Sequence, residues 1–125
     1  MEFSMFLYLA AILIVFTALL HSIMGEKRLI TPLLNSDIPL VRNEVARPVI
    51  RFAWHATSAL WLIIAAFLAK MAFLKSHDND DLILLVGVSH IVLGACDGII
   101  SKGRHVGWPP ITLIGMFSIL GVYFS

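Results

Sequence analysis

The sequence predicts an all-α protein, a four-helix transmembrane bundle forming a single domain over residues 1–125. Three observations carry this prediction. Of the 125 residues, 59% are hydrophobic and 14% charged, against roughly 45–50% and about 25% in a soluble domain. Mean hydropathy is +0.92. Apolar runs of membrane-spanning length recur four times along the chain. The formal charge of +1 excludes a strongly basic nucleic-acid binder, which needs a concentrated cationic face. The single cysteine, Cys96, excludes an intrachain disulfide and any CxxC motif.

Crossing a hydrocarbon core of roughly 30 Å takes about 20 apolar residues in a helix. The first predicted helix, Phe3 to Met24, is uncharged. A cleaved signal peptide would begin with a basic segment and end at a small-residue cleavage site. Here the chain starts with Met1-Glu2-Phe3 and no such site follows, so the helix is expected to stay. The second helix, Phe52 to Leu74, is interrupted only by Lys70, whose long side chain can snorkel to the interface. The third, Leu82 to Ile100, carries His90, Cys96 and Asp97; the fourth, Val106 to Phe124, has no charge. Residues 25–51 form a loop too long for a simple connector. Its stretch Leu29 to Leu34 is apolar between charged flanks, which suits a segment lying in the interface plane. The run Asp78-Asn79-Asp80-Asp81 lacks the glycine and distal glutamate of a calcium loop and reads as a solvated turn capping the third helix.

The loops orient the bundle. Lys27, Arg28, Arg42, Arg47, Arg51, Lys102 and Arg104 share one side and make up seven of the nine basic residues. The positive-inside rule puts that side in the cytoplasm, in a cell inner membrane with both termini outside. Trp54 and Trp108 then fall at the cytoplasmic interface, where aromatic belts form, and Trp61 sits near mid-membrane.

Ionisable residues inside a span are costly and mark functional candidates. His21, His55 and Asp97 should each lie roughly 5 Å inside the cytoplasmic boundary, by helical rise, with Glu26, Arg51, Lys102 and His105 flanking them. Each belongs to a polar or small-residue stripe at helical spacing: Thr17, His21 and Gly25 on the first helix; Arg51, His55 and Ser58 on the second; Gly87, His90, Gly94, Asp97 and Ser101 on the third. Three stripes are expected to meet in one seam, with Gly115 and Ser118 allowing close approach of the fourth helix. Neutral imidazoles ligate transition metals and clamp haem iron, so His21 and His55, with Asp97 or Glu26 ligating or orienting, make a candidate metal or haem b site. Arg51 and His105 support it. The competing readings are a hydrogen-bonded packing network and a proton or solute pathway. His90, roughly 10 Å deeper, is either a core histidine bonded to Thr17 or Ser58, or a step in a proton relay with Asp97. Cys96 reads as a buried small hydrophobe, and Trp61 as a packing anchor or a cavity wall.

Two stretches, His21-Ser22-Ile23-Met24-Gly25-Glu26 and Arg51-Phe52-Ala53-Trp54-His55, carry H-x3-G-E and R-F-x-W-H. Together they resemble a group of small bacterial four-helix membrane proteins of unassigned function, over most of the chain. The H-x3-G segment is also similar to one in cytochrome b subunits of succinate dehydrogenase, from which the chain departs at Glu26-Lys27-Arg28. The functions expected from sequence are therefore a metal- or haem-binding redox or assembly subunit, a small oligomeric transporter or channel, or a structural subunit. The expected partners are the lipid bilayer and either a second copy or a larger membrane complex, with no nucleic acid and no assigned enzymatic activity.

Overall fold

Five α-helices and two short helical turns account for nearly all of residues 2–124, which the computed structural model describes; these residues form no strand. Helix α1 runs Glu2–Gly25, continues through a π-helical turn at Glu26–Ile30, and ends as α2, Thr31–Leu34. A 3₁₀ turn at Pro39–Arg42 leads to α3, Ala46–Leu74, followed by α4, Asp80–Ile100, and α5, Trp108–Tyr123.

Three of these segments are long and apolar enough to cross a membrane: Glu2–Leu34, Ala46–Leu74 and Asp80–Ile100. Helix α5 has 16 residues, about 24 Å at the helical rise, and falls short of the span predicted from Val106. The reason is local. Pro109 and Pro110 lack amide protons and are tolerated only in the first turn, so they set the start at Trp108. Many large apolar side chains face outward, among them Ile12, Phe16, Leu60, Ile63, Leu85 and Val92. So much exposed apolar surface is untenable in water and fits lipid.

The first helix does not stop at Met24. Gly25 keeps helical angles, and Thr31 donates its amide to the Glu26 carbonyl, five residues back. The wide turn falls just before Pro32, whose ring would clash with a carbonyl in a regular α-helix. Leu29 to Leu34 is thus the continuation of α1 rather than a separate interfacial segment. Ile30 and Leu34 pack with Val41, against Ile50 and Trp54 at the start of α3. That helix begins six residues earlier than predicted, where the Asn43 side-chain oxygen accepts the free amides of Val45 (2.8 Å) and Ala46 (3.2 Å).

Close packing joins α1 to α3, α1 to α5, and α4 to α5. The spatial order is therefore α3, α1, α5, α4, and α3 and α4 do not pack along their lengths. The α4–α5 contact depends on missing side chains. A Cβ added to Gly115 would lie 2.5 Å from the Gly87 carbonyl oxygen, and one added to Gly87 would lie 2.6 Å from Ile119. At the end where α1 begins and α5 finishes, Phe3, Leu7, Leu68, Met71, Ala72 and Ile83 form a sealed core that continues toward Ile14, Ala65 and Ile114.

Candidate functional site

The opposite end of the bundle carries a polar network and a cavity. Glu26, on the π-helical turn, is its hub. One carboxylate oxygen accepts the Thr31 hydroxyl at 2.8 Å and pairs with the Arg51 guanidinium at 3.0 Å. The other meets His55 Nε2 at 3.1 Å. On the far side of the imidazole, His55 Nδ1 lies 2.7 Å from the Ser22 hydroxyl. A carboxylate only accepts, so Nε2 carries the proton and, in the neutral ring, Nδ1 accepts from Ser22. Serine, imidazole and carboxylate form one row that ties α1 to α3.

A second, smaller pair forms at the turn between α4 and α5. His105 Nδ1 donates to Asp97 Oδ2 at 2.6 Å. The polar groups thus divide in a way that the stripes alone do not predict. The α3 stripe meets α1, with Arg51 and His55 bonding Ser22 and Glu26 rather than the α1 stripe of Thr17 and His21. That of α4 is taken up by α5: Gly87 and Gly94 are buried there, Gly94 lying directly on Thr112. Asp97 therefore finds a loop histidine instead of His21 or His55. The physical reason is the spatial order, which places α5 between α4 and α1.

His21 and His55 do not share a ligand position either. Both ring nitrogens of His55 are already engaged. His21 instead stacks on Trp54, with centroids 4.1 Å apart and planes 10° from parallel, and touches Trp61 at 5.6 Å. The Trp54 indole N–H donates to the His21 carbonyl at 3.1 Å, and the ring occupies the space where any side chain at Gly25 would stand. Trp54 thus faces inward rather than joining an interfacial belt. Among the described residues there is no group of three or more His, Cys, Asp or Glu side chains placed to hold a metal ion.

Three further expectations change. His90 is buried, at 3% exposure, but bonds neither Thr17 nor Ser58; its Nδ1 donates to the Val86 carbonyl of its own helix at 2.8 Å. Thr17 likewise turns to the Leu13 carbonyl of its own helix. His90 Nε2 has no partner, and Asp97, bonded to His105, forms no relay contact with it. Cys96 is exposed, not buried.

Beside the network lies a cavity of about 340 Å³, within the size range of small-molecule sites. Thr17, Leu20, His21, Met24 and Gly25 of α1 and Arg28 of the π-helical turn supply one wall; Trp54 and Trp61 close it from α3, and His105 with Pro110 and Ile111 from the other side. His21 Nε2 is buried without a hydrogen-bond partner, as is the Ser58 hydroxyl. Of the two, His21 lines the cavity, and a buried polar atom without a partner costs free energy unless a guest supplies the missing bond.

Sequence reasoning identified His21, Glu26, Arg51 and His55 but missed Ser22 and Thr31, the two hydroxyls of the network. Ser22 lies four residues before Glu26 and Thr31 five residues after it. The first spacing was legible as one helical face; the second required the π turn. No family model, curated protein or solved structure matches this chain.

Proposed function

We propose that this chain is a multi-pass inner-membrane protein that binds a small amphipathic molecule in the cavity between α1, α3 and α5. In this reading the basic end lies in the cytoplasm and both termini lie outside. The observation that carries it is the cavity itself, walled by apolar and aromatic side chains around the unpartnered nitrogen of His21. A mostly apolar pocket with a few convergent polar groups is the common form of a ligand site.

The Ser22–His55–Glu26–Arg51 row is the frame of that site. It holds the end of α1 against α3 and so fixes Trp54 over Gly25. Metal or haem ligation by His21 and His55 has less support, because His55 would have to give up Ser22 or Glu26 to ligate. Conduction through one chain also has less support, since the core of Phe3, Leu7, Leu68 and Ile83 fills the far end. A binding subunit fits both facts.

The test is retention of a ligand. Protein purified through detergent exchange should carry a small molecule, detected by mass spectrometry of an organic extract, in near-stoichiometric amount. Met24→Trp, which fills the cavity from its α1 wall, should fold and lose that molecule. A wild type that retains nothing beyond what Met24→Trp retains would refute the reading.

A further inference from the structure

The cavity wall is chemically one-sided. It presents the Arg28 guanidinium beside the His21 and His105 imidazoles, and no carboxylate. The two acids nearby are committed, Glu26 to Arg51, His55 and Thr31, and Asp97 to His105. Arg28 is not committed: among the described residues it makes no ion pair or hydrogen bond. Its neighbour in role, Arg51, is anchored on Glu26. Arg28 thus offers a free guanidinium at the mouth of an apolar pocket, one turn beyond Met24 and at the predicted boundary of the span.

A guanidinium with five donors in a planar fork matches carboxylate and phosphate oxygens, and such charge-assisted bonds are the strong ones. Position sorts the rest of the ligand. Leu20, Met24 and Ile111 with the Trp54 and Trp61 rings make a wall for hydrocarbon, and the exposed Arg28 and His105 lie where a head group would reach water. We infer that the cavity takes an anionic amphiphile, its carboxylate or phosphate held by Arg28 and its apolar part lodged against Leu20, Met24 and Ile111. This rests on the reading of the cavity as a binding site and adds the charge of its occupant. Asp97 accepts from Nδ1–H of His105 and so fixes that ring at the cavity mouth.

The experiment titrates purified protein in a neutral detergent with dodecyl phosphate, dodecanol and inorganic phosphate. The readouts are tryptophan emission and, for stoichiometry, native mass spectrometry. Dodecyl phosphate should bind one to one and at least about tenfold more tightly than dodecanol, as a charge-assisted bond implies. Arg28→Gln, at an exposed position that leaves the fold alone, should weaken dodecyl phosphate by about tenfold and leave dodecanol unchanged. Inorganic phosphate alone should neither shift the emission nor compete. Equal affinity for dodecanol and dodecyl phosphate, indifferent to Arg28→Gln, would overturn the charge reading while leaving a ligand site in place. Inorganic phosphate binding as tightly as dodecyl phosphate would also overturn it, by showing a simple anion site. Binding of no probe, or binding undiminished in Met24→Trp, would instead defeat the cavity reading on which it rests.

Discussion

The two ends of the bundle solve the same packing problem in opposite ways. At the terminal end all four long helices contribute apolar side chains to one closed cluster, from Phe3 and Leu7 through Leu68 and Met71 to Ile83, and Gly121 lies against Leu7. Polar groups are few there: Ser4 donates from α1 to the Ala72 carbonyl of α3 at 2.9 Å, and His77 lies against Phe3. At the other end the helices hold apart. An indole is wedged between α1 and α3, a cavity opens beside it, and hydrogen bonds replace close packing. The difference teaches where each end obtains its specificity. In lipid, helices gain little from hiding apolar surface, so association rests on van der Waals fit and on hydrogen bonds. One end rests mainly on the first and the other mainly on the second.

The comparison is broken most completely by topology. The two ends differ in basic residues, seven of nine lying at the cavity end, and the positive-inside rule assigns that end to the cytoplasm. In a Cys96→Ala background, Ser76→Cys should react with a membrane-impermeant thiol reagent added outside and Ser36→Cys should be protected. The reverse pattern would invert the protein and place the cavity on the outer face.

Packing gives the next largest contrast. Leu68 is fully buried at the sealed end, whereas Leu20 already borders an open space. Leu68→Ala should therefore cost about 2 kcal/mol, the part of a core truncation that comes from the void rather than from transfer out of water. Leu20→Ala should cost well under half as much. Unfolding in mixed micelles, followed by circular dichroism, measures both, and equal losses would show that the cavity end is as tightly packed as the core.

The smallest effect concerns one bond. Trp54→Phe keeps an aromatic ring over Gly25 and against His21 but removes the indole donor to the His21 carbonyl. Interhelical hydrogen bonds in membranes average about 0.6 kcal/mol, so stability should fall by about that much while ligand retention persists. A much larger loss would mean that the indole N–H, rather than the ring, holds α3 in place.

What the sequence determined by itself was the count and placement of the long helices. Hydropathy adds up along contiguous residues, and each run of the required length is visible without knowing its neighbours. Proline positions also act locally: Pro109 and Pro110 set the start of α5 at Trp108, a signal that the apolar run predicted from Val106 passed over. The stripe on α3 was legible for the same reason, and its Arg51 and His55 do come together on Glu26. What only the tertiary structure decided was which stripe meets which. Helical period tells which residues share a face but not which helix covers it. The stripe of α4 went to α5 through Gly87 and Gly115, and Asp97 went with it to His105. The phase of a face is also lost wherever the helix departs from 3.6 residues per turn. At Glu26–Ile30 the π turn changes the register, which brings Thr31 onto the carboxylate it was not expected to reach, and leaves Arg28, three residues before it, unpaired at the mouth of the cavity.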